Sequence, residues 1–293
     1  MKIAVASGKG GTGKTTVAVN CAMLMSQNGL DVAYADCDVE EPNGHIFLKP
    51  AITGSTAATL LYPVVDENLC TGCGKCQEIC CFNAIVVLDR SPMVFADICH
   101  ACGGCAYVCP VGAITESERV TGTIETGKSG DLPFIQGTLD IGQVMSPPLI
   151  RDVKRAIPPA DFTFIDCPPG TSCPVITALD DTDFVLLVTE PTPFGLHDLK
   201  LAVDAVTSLG LPSGVVINRH NFGSAKTEAF LRSKGIPVVG RIPDDLKIAR
   251  TYSEGKLIID DLPEYREVFS RIVTEIKKRD GSAFSQRGTK KSE

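Results

Sequence analysis

Two groups of residues in this 293-residue chain have the types and spacing to do chemistry. The first is "GKGGTGKTT", Gly8 to Thr16, in which Gly8-Lys9-Gly10-Gly11-Thr12-Gly13-Lys14-Thr15 fits G-x-x-x-x-G-K-T. Glycines at this spacing let successive backbone N–H groups converge on phosphate oxygens. A lysine at the position of Lys14 reaches the terminal phosphates, and a hydroxyl at Thr15 can ligate Mg²⁺. The second group is a repeat: Cys70, Cys73, Cys76 and Cys80 return 29 residues later as Cys99, Cys102, Cys105 and Cys109, and Ala84-Ile85 returns as Ala113-Ile114. Structural zinc usually takes paired C-x-x-C, so the third close cysteine in each half disfavours it.

These residues need elements to hold them. "KIAVAS" reads as a buried strand feeding the glycine-rich turn, and "TTVAVNCAMLMSQNG" as a helix that stops near Gly29. "DVAYADCD", "FTFIDCPPG", "FVLLVTEP" and "SGVVINR" read as further buried strands, alternating with helical stretches. That alternation implies an α/β fold with a mostly parallel sheet flanked by helices. The cysteine repeat is self-contained, which marks it as an inserted α+β unit. The expected organisation is a nucleotide domain in two parts, 1–63 and 119–279, an insertion at 64–118, and a disordered tail at 280–293. "PEYREVFSRIVTEIKK" puts Tyr265, Val268, Phe269, Ile272, Val273 and Ile276 on one helical face, as in a closing helix packed on the sheet.

Composition narrows the function classes. A hydrophobic share of 44% and a charged share of 22% are those of an ordinary globular protein. A net charge of −7 with scattered basic residues argues against a nucleic-acid surface, and no run approaches a membrane span, so no nucleic-acid partner and no stable membrane insertion are expected. Met1 runs straight into the first strand without a basic leader, which points to the cytoplasm, where 13 cysteines serve better as ligands than as disulfides.

A second lysine inside the loop, Lys9, makes "KGGTGKT" similar to the deviant phosphate loop of the MinD/ParA/Mrp and nitrogenase iron protein group of P-loop ATPases. The resemblance implies a nucleotide-dependent homodimer in which Lys9 crosses to the partner's nucleotide. It also implies that Asp38 in "DCDVEEPN" orients the attacking water and that Asp166 in "DCPPGT" holds Mg²⁺ through water. Asn218 stands where the group places an asparagine that pairs with adenine, and no Asn-Lys-x-Asp follows, so ATP is preferred over GTP.

The cysteine repeat resembles the signature of two-cluster bacterial ferredoxins, in which the fourth cysteine of each run ligates the other 4Fe-4S cluster. The implied ligand sets are therefore crossed: Cys70, Cys73, Cys76 and Cys109 for one cluster, and Cys99, Cys102, Cys105 and Cys80 for the other. The first run departs from the pattern, carrying Cys81 where the second has Pro110, and Cys81 is not expected to be a ligand. Cys173 falls where the nitrogenase iron protein has a cysteine for a shared cluster, and the C-terminal C-x-x-C of Mrp-type carriers is absent. Together these features imply an ATP-gated electron-transfer protein acting on a redox partner. The alternatives are an Mrp-type iron–sulfur cluster carrier serving apo-proteins and a spatial-organisation ATPase with structural clusters.

Overall fold

A run of five to six apolar residues with no polar alternation has nowhere to go but the middle of a sheet covered on both faces. The computed structural model, which describes residues 1–280, puts every such run there. In chain order the strands are β1 (Lys2–Ala6), β2 (Val32–Asp36), β3 (Ala51–Val65), β4 (Ile85–Leu88), β5 (Ser91–Val94), β6 (Ile114–Ser129), β7 (Leu132–Leu139), β8 (Phe162–Asp166), β9 (Phe184–Thr189), β10 (Ser213–Asn218) and β11 (Val238–Ile242). The helices are α1 (Lys14–Gln27), α2 (Gly44–Leu48), α3 (Lys75–Ile79), α4 (Gly104–Val108), α5 (Ser146–Arg155), α6 (Cys173–Leu179), α7 (Pro193–Ser208), α8 (Ala225–Ser233), α9 (Leu246–Ser253), α10 (Ile258–Asp261) and α11 (Pro263–Asp280). The tail expected from residue 280 lies, from 281 onward, outside the described residues.

One sheet of nine strands, in the order β11-β10-β9-β1-β8-β2-β7-β6-β3, organises the molecule. From β11 to β7 the strands run parallel, and β6 and β3 then add antiparallel to the β7 edge. Two cores cover its faces. One joins α1, α10 and α11 to the sheet through Val17, Met25, Ile258, Phe269 and Ile272, and the other joins α5, α6 and α7 through Leu149, Val153, Leu179 and Val203. The C-terminal helix buries the face read from its periodicity, with Phe269, Ile272 and Ile276 fully enclosed.

β3 and β6 form a long ribbon, in register from Ala51↔Lys128 to Val65↔Ile114 with two irregularities. Residues 66–113 hang between the ends of these strands, so the expected boundaries at 64 and 118 fall inside the ribbon. The hanging unit contains α3, α4 and the β4–β5 hairpin around a small core of Cys76, Ile85 and Ile114. Among the described residues no helix is long and apolar enough to cross a membrane.

Truncating Phe269, at 0% exposure in the larger core, to alanine is expected to lower stability by about 3–5 kcal/mol, read from urea unfolding.

Candidate functional site

The phosphate loop spans the gap between the end of β1 at Ala6 and the start of α1 at Lys14. Its two flanks are clamped. A Cβ on Gly8 would land 2.2 Å from the Asp198 carbonyl oxygen of α7, and one on Gly13 would land 2.6 Å from Asn218 Nδ2 at the end of β10. Gly13 also takes φ 96°, which side-chain-bearing residues adopt only with strain. The Ser7 hydroxyl donates to the Lys9 carbonyl at 2.6 Å, and Asn218 Nδ2 donates to the Thr12 carbonyl at 2.9 Å. Asn218 Oδ1 in turn accepts from the Arg219 N–H at 3.0 Å. The asparagine assigned to the base thus also fastens the loop, with both ends of its amide occupied by backbone.

Beneath the loop lie two carboxylates. β2 and β8 are parallel neighbours in the register Asp36↔Asp166, and both side chains are completely buried. Asp36 accepts three backbone N–H groups from the chain that follows it, Asp38 at 3.1 Å, Asn43 at 3.1 Å and Gly44 at 2.8 Å, and so ties down the segment that carries Asp38. Asp166 is bonded to Thr15 and, at 3.3 Å, accepts from the Tyr34 hydroxyl, while its Oδ1 is buried with no hydrogen-bond partner. Burial raises Asp36 well above the usual carboxylate range, and the Asp166 charge adds to it. Burial also lifts Asp166 to about 6, against the pull of Lys14, Thr15 and Tyr34. Asp38 goes to about 7, through burial first and then the charges of Asp166, Glu40 and Glu41, with Lys14 opposing.

A pocket of stacked negative charge with one orphaned carboxylate oxygen beside a hydroxyl fits a divalent cation. Thr15 and Asp166 would hold Mg²⁺ there, where it screens phosphate charge. Lys14, only 6% exposed, lines the same cleft.

That cleft, about 1230 Å³ counting the space open to solvent, is lined on the loop side by Gly10, Gly11, Gly13, Lys14, Thr15 and Thr16, and across from it by Asp38 and Asn43. Its far wall, Ile242 to Tyr252 at the β11–α9 junction, escapes the sequence reading. The signal available was "RIPDD", a strand end followed by proline and acids. Lys9 does not face this cleft. Its Nζ is 3.8 Å from Glu190 Oε2, and Glu190 also meets Arg219, neither of them singled out from sequence.

The cysteines gather as two sets of four. Cys70, Cys73, Cys76 and Cys109 ring a hollow of about 350 Å³ walled by Val65, Val87, Pro92 and Ile114. Cys80, Cys99, Cys102 and Cys105 ring a second of about 480 Å³, beside Phe82 and His100, whose rings stack at 3.4 Å. Backbone N–H groups of Gly72, Ala84 and Ala113 donate to the sulfurs of Cys70, Cys80 and Cys109 at 3.3 to 3.4 Å. For Cys109, burial acts upward, but N–H groups of residues 111–114 bring its thiol below the ordinary value. Among the described residues no three His, Cys, Asp or Glu side chains form a group that could hold a single metal ion. Cys81 is exposed, with its sulfur on the Ile79 carbonyl at 3.8 Å, and Cys173 is exposed at the start of α6.

A lysine, a threonine and a buried carboxylate meeting at a glycine-rich turn between the first strand and first helix of a parallel sheet define a P-loop nucleotide-binding protein. Residues 3–258 match the CobQ/CobB/MinD/ParA nucleotide binding domain family, and the chain belongs to it as a P-loop ATPase. It is 30% identical over 281 residues to the uncharacterized protein MJ0578 of Methanocaldococcus jannaschii, covering 94% of this chain and 96% of that one. An iron-sulfur cluster carrier protein of the same organism is 24% identical over 94% of this chain and 85% of its own length. Among solved structures, the septum site-determining protein MinD of Pyrococcus horikoshii, complexed with Mg-ADP, superposes with a TM-score of 0.59 at 22% identity, covering 96% of this chain and 97% of that one.

Replacing Lys14 by alanine is expected to abolish nucleotide binding in a fluorescent-ADP titration, whereas Asp38→Asn keeps binding and slows ATP hydrolysis by about 10²-fold or more. Mg²⁺ would bind the ionised Asp166 carboxyl, which in the free protein takes up a proton near pH 6. Mg-ADP affinity should therefore fall as pH drops from 8 to 5.5, with protons released on binding at pH 6.5 in calorimetry run in buffers of different ionisation heat.

Proposed function

We propose that this chain is an ATP-gated iron–sulfur protein that passes electrons to a partner protein in one nucleotide state. Two 4Fe-4S clusters would be held by the crossed sets, Cys70, Cys73, Cys76 and Cys109 against Cys99, Cys102, Cys105 and Cys80. The N–H···S contacts of the hollows suit anionic thiolate ligands. Such clusters supply one-electron storage; everything else is done by the chain.

The observation that carries the reading is a run of hydrogen bonds and strand pairings that leads from the segment after Asp38 toward the cysteine unit. The Leu139 N–H donates to the Val39 carbonyl at 2.8 Å, the Asp140 N–H to Thr121 at 3.0 Å, and the Ser146 hydroxyl to Glu40 at 3.1 Å. β7 then pairs with β6 and β6 with β3, and Arg119 of β6 is ion-paired with Asp97 inside the unit. When Lys14 and Asp166 with its Mg²⁺ draw in a triphosphate, and Asp38 moves to orient water, Val39 and Glu40 move with it. The ribbon carries that displacement to the cysteines. In a nucleotide-dependent homodimer, Lys9 would add its charge to the partner's phosphates.

The cysteine unit also exposes apolar side chains that a partner could cover. Leu69, Phe82, Leu88, Met93 and Phe95 are exposed, and Tyr107 is 91% exposed beside Cys105. Residues 64–118 carry seven Asp or Glu against two Lys or Arg. A partner with apolar and basic surface fits this patch. The second reading, a cluster carrier, is favoured by the relatives that bear that name.

With anaerobically reconstituted protein, midpoint potentials and the electron-transfer rate to a small basic haem protein should differ among ATP, ADP and no nucleotide. Identical values in all three would sink the gating. Iron retained through repeated redox cycling with an apo-ferredoxin present supports the relay, and iron lost to the apo-protein supports the carrier. Cys73→Ser should remove about half the iron and leave ATP binding intact.

A further inference from the structure

One charged triad at the edge of the cleft takes no part in holding phosphate or Mg²⁺. Glu190 closes β9, with its side chain 9% exposed. Arg219 Nη1 lies 2.9 Å from Glu190 Oε1, and Lys9 Nζ lies 3.8 Å from Oε2. Oε1 has no donor aligned for a hydrogen bond, so the attraction is Coulombic and tolerates exchange of partners. The backbone that carries the carboxylate is anchored. The Thr189 hydroxyl is within 3.4 Å of the Glu190 carbonyl, and Gly195 packs so close that a Cβ there would sit 2.3 Å from the same oxygen. Glu190 is therefore held at its root, and only its side chain can turn after a departing lysine.

Two cations serve one carboxylate here, and they are unequal. Lys9 is the more distant and sits on the glycine-rich loop. Arg219 is closer, is steadied by Asp244 at 3.7 Å, and directly follows Asn218, which fastens the loop. A buried carboxylate stripped of every counter-ion is strongly unfavourable, whereas one that keeps a cation is not.

We infer that Glu190 and Arg219 are positioning residues for Lys9. Glu190 parks the lysine on its own protomer until a nucleotide-loaded second copy docks, and Arg219 stays behind to neutralise Glu190 once Lys9 has crossed. This rests on the reading of Lys9 as the residue that crosses the dimer. It predicts opposite signs for two substitutions that remove opposite charges from one ion pair.

The test uses the hydrolysis-slowed Asp38→Asn chain with ATP and Mg²⁺, its dimer dissociation constant measured by sedimentation and its ATP affinity measured separately. Glu190→Gln releases Lys9 and should tighten the dimer roughly fivefold; Arg219→Met obliges Lys9 to stay and should weaken it roughly fivefold. Arg219→Lys should restore the starting value, and the double substitution should match Glu190→Gln alone, because no carboxylate remains to be stranded. If both single substitutions weaken the dimer, or neither moves it, the inference fails while the dimer stands. If the Asp38→Asn chain stays monomeric with ATP, the crossing role of Lys9 fails and this inference with it.

Discussion

The structure depends on a juxtaposition that is unfavourable by itself: Asp36 and Asp166, side by side on neighbouring parallel strands and sealed from water. Two carboxylates in such a place cannot both ionise comfortably, and burial holds both above their normal range. The chain answers each differently. Asp36 is satisfied from within, by three N–H groups of the segment that carries Asp38, so its charge is converted into a tether on a catalytic loop. Asp166 is left with an orphaned oxygen under the phosphate loop, where a cation would find an unfilled acceptor. One strand pair thus joins the segment that carries Asp38 to that acceptor.

The loop above inherits its rigidity from three directions. α7 presses on Gly8, Asn218 grips Gly13 and the Thr12 carbonyl, and α1 carries Lys14 into the cleft. Only Lys9 is turned outward to a separate set of charges. The two lysines of the loop, five positions apart, therefore belong to different electrical neighbourhoods.

Much of this was legible from residue order because the informative residues are either fully buried or chemically singular. β1, β2, β8, β9 and β10 announce themselves as apolar runs, and a run of that kind has only one stable setting. The cysteine sets are those that the resemblance to two-cluster ferredoxins implies, whereas their walls are not implied, since Val65, Pro92 and Phe82 carry no signal until the chain is folded. The β3–β6 ribbon was illegible because its exposed and buried residues do not alternate, and "ITESERVTGTIETGKS" has neither apolar alternation nor turn punctuation. Asp36 was overlooked beside Asp38 because a strand-end acid looks alike whether it tethers backbone or faces substrate. Glu190 and Arg219 lie 29 residues apart on separate strand ends, and only the β9–β10 pairing brings them together.

The ribbon has an architectural consequence. Neither large core contains a residue from 66–113, and the hanging unit keeps a small core of its own. Leu60 and Arg119 face each other across β3 and β6, so a short hairpin turn could join them without disturbing the sheet beneath. The ATPase body is in that sense a socket. Cutting and rejoining the polypeptide at this point exchanges one fitted module for another, which gives such a chain a simple route to acquire or discard its cysteine-rich unit.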